Sequence, residues 1–342
     1  MSASAGNPRA LNIGAADFAI ASLAAAGVVL IFAACLIGST PLSPVRTFAA
    51  LVGAGTESER IIVLDIRLSR ALAAYVVGFA LAASGAALQG LLRNPLAEPG
   101  IIGVSASASL GATFVLYYGL AGLSPFMMPI GAIIGAVAAT ALIVAAAIRV
   151  RSAVTLILIG VGVSSFAGSV MSLLMNLAPN PFTLAEMVTW MLGSVANRSF
   201  VDIAFAMPFI GGGLGVLFAS SRGLSALSLG EEAAASLGVD LGRLRALIAL
   251  GAGLAAGGAV ALAGAIGFIG VVAPHLVRPL VDQDPARTLL PAGLLGGAAL
   301  VAADIIVRLL PTANELRLGV VAALVGAPAF IAIAIRTRPR HD

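Results

Sequence analysis

Polar residues along this chain are sparse and clumped, and the stretches between them are apolar over lengths set by a bilayer rather than a globular core. A membrane helix takes about 20 mostly apolar residues, and that ruler divides the chain. Residues 18–45 hold one span, and 71–92, extended back toward Ile61, hold a second. The run 99–148 is too long for one helix and breaks near 119–129, giving spans three and four. Residues 152–185 give a fifth, ending around 176–181. Residues 187–196 are too few to cross, so they predict a short extra helix lying at the surface or dipping in. A sixth span covers 203–221, and 289–310 and 316–335 are the last two. Between them, the run 246–277 carries Gly264, Gly267 and Gly270 in its middle, either a turn between two spans or a kink in one long helix.

One stretch breaks the pattern. Residues 222–245, RGLSALSLGEEAAASLGVDLGRLR, form a charged helical island between apolar runs. It reads as two short helices, with Ser225 or Ser228 as a cap, Glu231 and Glu232 in a first turn, and Gly238 as a left-handed stop. A solvated connector and a docking element both fit that description. Within the spans, Gly131 and Gly135, Gly211 and Gly215, Gly253 and Gly257, and Gly293 and Gly297 form GxxxG pairs, which predict close helix packing.

Composition fixes the class. With 342 residues, 60% hydrophobic and 10% charged, a water-soluble fold would lack the polar surface to cover itself. The chain therefore reads as one all-α polytopic membrane domain, residues 1–342, with 222–245 as a loop within it. All 19 basic residues are arginine, so a GxxxxGK[ST] phosphate loop with its lysine is excluded. The lone Cys35 excludes an internal disulfide, and two histidines, His275 and His341, offer little for a metal centre; none is expected. His275, after Pro274, reads as structural. No basic block points to nucleic acid. The first apolar run is long and no small-residue cleavage site clearly follows it, so it is expected to be a span rather than a cleaved signal.

Arginine placement chooses between turn and kink. Two spans within 246–277 make ten in all and, with the N-terminus inside, put 12 arginines on the cytoplasmic side against 7 outside; one span gives 9 against 10. The positive-inside rule prefers ten, with both termini and the 222–245 loop cytoplasmic. Counting 187–196 as a crossing and reversing the protein also gives 12 to 7, and only its length rejects that alternative.

Three stretches together resemble the FecCD family, the permease subunits of ATP-driven importers for iron-siderophores, haem and cobalamin. They are Arg67-Leu68-Ser69-Arg70 with SGAALQGLLRNPLAEPGIIGVS at 84–105; LGEEAAASLG at 229–238; and GAIGFIGVVAPHLVR at 264–278 with ADIIVR at 303–308 and LGVVAALVGAPAFI at 318–331. The resemblance spans the chain from about Ile61 onward. It implies a cobalamin-permease-like fold and a homodimer of ten-helix subunits in the bilayer of a bacterial inner membrane. The pathway would run along the two-fold axis, two ATPase subunits would lie on the cytoplasmic side, and a periplasmic substrate-binding protein would dock opposite. It implies no permanently bound cofactor: ATP would sit on the partner subunits, and haem or an iron chelate would be the cargo.

Residue by residue, the resemblance makes Leu229, Gly230, Glu231, Glu232, Ala235, Leu237 and Gly238 a coupling helix, its acids meeting basic groups on the ATPase. Arg67, Arg70 and Arg308 match arginines that meet acids on the binding protein. Interface snorkelling is the other reading of Arg67 and Arg70, and neutralisation by Asp304 the other reading of Arg308. The pathway would use the fifth span, with a gate at Ser152, Ala153, Val154 and Thr155, a smooth face of Gly160, Gly162, Ser164, Ser165 and Gly168, and Met171 and Met175 as packing or as a soft wall. The 93–112 stretch resembles haem permeases most, with ferric-siderophore import second and cobalamin third. An ion-coupled secondary transporter would need an ionisable cluster near mid-membrane, which the spans lack, and no HExxH or GxSxG supports an intramembrane enzyme.

Overall fold

The apolar runs fold as helices in the computed structural model, which describes residues 8–38, 40–150, 152–311 and 315–336; no strand occurs among them. The helices are α1 (Pro8–Leu36), α2 (Pro44–Leu51), α3 (Glu57–Leu92), α4 (Val104–Tyr117), α5 (Met127–Arg149), α6 (Ala153–Asn176) and α7 (Pro181–Met191). They continue with α8 (Phe200–Ala219), α9 (Ser221–Leu227), α10 (Glu231–Ser236), α11 (Leu241–Ala263), α12 (Ile269–Val277), α13 (Pro285–Leu309) and α14 (Leu318–Arg336). Among the described residues seven helices, α1, α3, α5, α6, α8, α11 and α13, are long and apolar enough to cross a bilayer. Three apolar elements, α4, α14 and α12 with its following 3₁₀ turn, are shorter.

Several expected boundaries move. The first span ends at Leu36, and residues from Pro44 form the separate α2, capped by Ser43 and exposing Val45 and Phe48 while burying Thr47 and Ala50. That two-sided pattern suits an interfacial helix. The 246–277 run is indeed two helices, because Gly264 takes φ 74° at the end of α11 and Phe268 takes φ 67° before α12. The second has only nine residues, less than half a bilayer's worth. The short extra helix lies at Pro181–Met191, N-capped by Asn180, rather than at 187–196. Its Met187 and Trp190 enter the core, and Ser194 N donates to Ala263 O at 2.7 Å, tying the following loop to the end of α11.

Helices α3 and α11 form the buried centre, while α1, α6 and α8 keep most of their surface open. Lipid gives no hydrophobic drive between helices, so close approach rests on small side chains. Gly78 of α3 faces the backbone of Gly296 in α13, and Gly85 faces that of Gly270 in α12, with no room for a Cβ. Three GxxxG pairs work this way: Gly131 and Gly135 against α4, Gly253 and Gly257 against α5, Gly293 and Gly297 against Phe79 and Tyr75 of α3. The fourth does not. Gly211 and Gly215 face open space, and it is Gly213 that meets Gly251 and Ala255. Large apolar side chains such as Val28, Ile134 and Leu142 stand exposed, as a lipid-facing surface requires.

Candidate functional site

At one end of the bundle the three expected docking arginines converge, for a reason rooted in helix chemistry. The last carbonyls of a helix have no intrahelical donors, and near a bilayer water does not reliably replace them. Arg67 is 3% exposed and donates to Cys35 O at 2.9 Å, Leu36 O at 3.3 Å and Thr40 O. Arg308 donates to Ala34 O at 3.0 Å and Ile37 O at 3.1 Å. Two guanidiniums thus close the C-terminus of α1, where the helix dipole also favours positive charge. Arg70 grips the fully buried Asp304 through Nε and Nη2, at 2.9 and 2.7 Å, and also bonds Glu315. Arg308 Nη2 lies 2.8 Å from the same Asp304. Neutralisation of Arg308 by Asp304 is therefore observed, with Arg70 as a third member the sequence did not suggest.

Arg67 lies in an eight-residue π-helical segment, Ile61–Leu68, inside α3. Such segments shift the register of side chains along a helix. Here Arg67 turns toward α1 and Arg70 toward α13.

The opposite end carries the charged island. Gly230 takes φ 114° and Gly238 φ 84°, so α10 is a six-residue helix set off by glycine at both ends, as expected. Leu229 and Leu237 flank it, both about two-thirds exposed, while Ala234 is buried. Glu232 and Ala235 belong to the same element. One expectation fails, and one residue has a partner the sequence did not suggest. Neither Ser225 nor Ser228 N-caps a helix: Ser225 lies inside α9 and donates to Asp284 Oδ1 at 2.9 Å, and Ser228 is the C-cap of α9, its hydroxyl bonding back to Ser225 O. Glu231 is engaged within the subunit, where Arg245 Nη2 of α11 donates to it at 2.8 Å. Arg93, in left-handed conformation at the end of α3, donates to Leu227 O. The island is thereby fastened to α3, α11 and α13.

The four residues expected as a gate begin α6: Ser152 Oγ accepts from Thr155 N at 3.4 Å, Ala153 is half-buried, and Val154 and Thr155 are exposed. Higher up the expected face divides. Gly160 packs on Ile101 and Ile102, Ser164 Oγ donates to Gly100 O at 3.0 Å, and Met171 is buried. Gly160 and Ser164 point into the subunit because the 93–103 segment folds against them. Met175 is half-buried against the core, and Gly168 meets open space. The helical repeat sets Thr155, Leu158, Gly162, Ser165, Ser169, Ser172 and Asn176 on one face, and all are exposed. Ser169, Ser172 and Asn176 escaped the sequence reading, although their three- and four-residue spacing was there to see. Ser169 and Ser172 return their hydroxyls to backbone carbonyls one turn earlier, at 2.8 and 2.9 Å. The face is thus weakly polar, with small and hydroxyl residues around the single large side chain of Leu158. Among the described residues no group of histidine, cysteine or carboxylates could hold a metal ion.

A bundle of apolar helices with a fastened connector at one end and a closed arginine cluster at the other has the build of a polytopic membrane protein. The family model of the FecCD transport family matches residues 26–336, and the chain belongs to that family. It is 37% identical over 294 residues to the uncharacterized ABC transporter permease protein YvrB of Bacillus subtilis, covering 84% of this chain and 83% of that one. It is 37% identical to the vitamin B12 import system permease protein BtuC of Vibrio cholerae, covering 90% and 89%. It is 35% identical to YfiZ of Bacillus subtilis, assigned to a siderophore transport system as its permease, covering 90% and 93%. A solved inward-facing ABC transporter, assigned to the metal-chelate type, superposes with a TM-score of 0.81 at 29% identity over 94% of this chain and 99% of that one. The protein is thus an ABC importer permease, a transport component and not an enzyme.

Proposed function

We propose that the chain forms, with a second copy of itself, the translocation pathway for a metal chelate across a bacterial inner membrane. In this reading there are ten membrane elements, with α4, α12 and α14 among them, both termini lie in the cytoplasm, and ATP is hydrolysed by two partner subunits beneath the island. The exposed face of α6 carries the proposal: small and hydroxyl residues are what a helix shows to another helix or to a wetted path, not to lipid tails. Haem remains the first cargo on the resemblance of the 93–112 stretch. Cobalamin and ferric siderophores are the second reading, favoured by the names of the relatives. The terminal segments 1–7 and 337–342 lie outside the described residues.

Docking of a binding protein is assigned to the arginine end. Arg70 is the contact, since its partner Glu315 is on the surface and can be exchanged for an acid of the binding protein, while Arg67 and Arg308 support it from within. On the other side α10 seats in the ATPase with Leu229 and Leu237 as its apolar contacts, and Glu231 holds the element in place. The test is transport into proteoliposomes with ATPase and binding protein present, comparing haem, a ferric siderophore and cobalamin. Ser165→Phe and Ser169→Phe should stop uptake without lowering thermal stability. Full uptake in both variants would remove α6 from the pathway, and uptake driven by an ion gradient without ATP would end the proposal.

A further inference from the structure

At the island's end, an open cleft of about 650 Å³ lies between α3, α12 and the residues after α9. Arg93, His275 and Arg278 line it together with Gln89, Ser228 and Gln283, and no carboxylate does. Arg278 is the centre. It is partly buried, and its Nη2 donates at 2.7 Å to Gln89 Oε1, a neutral amide. Gln89 is itself buried and locked, donating through Nε2 to Gly270 O at 3.2 Å and to Val271 O at 3.4 Å, so it holds the guanidinium at a fixed angle toward the cleft. Arg93 reaches the same space from the end of α3, its Nη2 on Leu227 O. His275 adds an imidazole whose buried Nδ1 has no hydrogen-bond partner. A partly desolvated charge beside a second cation, with no acid lining the space, is costly unless an anion completes it.

We infer that this cleft is a binding site for a phosphate group, and that the phosphate is the headgroup of an anionic phospholipid. Planar guanidinium forks match phosphate oxygens, which accounts for the chemistry. The source follows from the neighbours. Leu276 and Leu280, on the same short element as Arg278, are about half exposed, so apolar surface for acyl chains borders the cationic cleft. Basic clefts between membrane helices are where anionic headgroups bind. A lipid held there would touch Arg93 and Ser228, both joined to the island, and would brace it against the bundle. The inference does not depend on the cargo.

The experiment is native mass spectrometry of the purified full chain in detergent with phosphatidylglycerol, phosphatidylcholine of the same chains, or inorganic phosphate. Wild type should retain phosphatidylglycerol over phosphatidylcholine by about tenfold, because both carry the phosphodiester but choline's fixed positive charge would be repelled by Arg93 and Arg278. Arg278→Gln and His275→Gln should each erode that preference, whereas Arg243→Gln, at an exposed arginine outside the cleft, should keep it. Equal retention of the two lipids by wild type would overturn the proposal, as would an equal loss in Arg243→Gln. Release of phosphatidylglycerol by millimolar inorganic phosphate would overturn the lipid source and assign the cleft to free phosphate.

Discussion

Asp304 shows how a single side chain can organise an end of a membrane bundle. It is fully buried, yet two arginines reach it, and both are tied to other helices. Removing one member of a buried charged cluster leaves its partners uncompensated, typically at about 3–5 kcal/mol. Asp304→Asn should therefore lower the midpoint of thermal unfolding in detergent substantially, and an unchanged midpoint would show that the cluster is not structural. The same logic separates the arginines. Arg67→Gln should destabilise because the α1 carbonyls lose their donor, whereas Arg60→Gln, at an exposed position about two turns earlier on α3, should leave the midpoint unchanged. The resemblance offered Arg67, Arg70 and Arg308 as docking contacts, with snorkelling or neutralisation by Asp304 as the other readings, and spacing alone says nothing about direction. The π-helical register of α3 turns Arg67 toward the end of α1, Arg308 reaches the same carbonyls from α13, and Arg70 bridges buried Asp304 and surface Glu315.

For the helices, the decisive quantity is how closely two backbones can approach. A Cβ at Gly85 would meet the Gly270 backbone, which cannot swing away as a flexible side chain can. Gly85→Val should cost about 1–3 kcal/mol by overpacking, read by thermal unfolding, and should loosen α12 from α3. Gly162→Ala is the matching control: nothing lies within 4 Å of that position, and the change should stay within about 1 kcal/mol either way. Glycine spacing alone did not separate these cases. Gly211 and Gly215 have the same motif as Gly253 and Gly257 but opposite surroundings, since the helix face that meets a neighbour depends on where that neighbour lies.

In the whole molecule, the island matters through its fastenings. Arg245 ties α10 to α11, while Arg93 and Asp284 tie α9 to α3 and α13, so in the proposed coupling role a push on α10 would reach α11 directly and the other two through α9. Glu231→Gln should leave basal ATPase activity of the assembled transporter unchanged and reduce its stimulation by the binding protein several-fold. Arg245→Gln combined with it should be no worse than the single changes, because both remove one contact. Full stimulation in Glu231→Gln would free α10 from that role. The sequence by itself determined that the chain lives in a bilayer, where most of its spans run, that the 246–277 run divides, and that a glycine-bounded charged helix interrupts the apolar pattern. Each follows from length, hydropathy and backbone freedom, which are local properties. Only the tertiary structure decided which way the arginines face, which glycines are in contact, that Glu231 is held from within and that α6 shows Ser165, Ser169 and Ser172 outward. Those depend on pairings between residues far apart in the chain, and no local pattern encodes the direction of a neighbour.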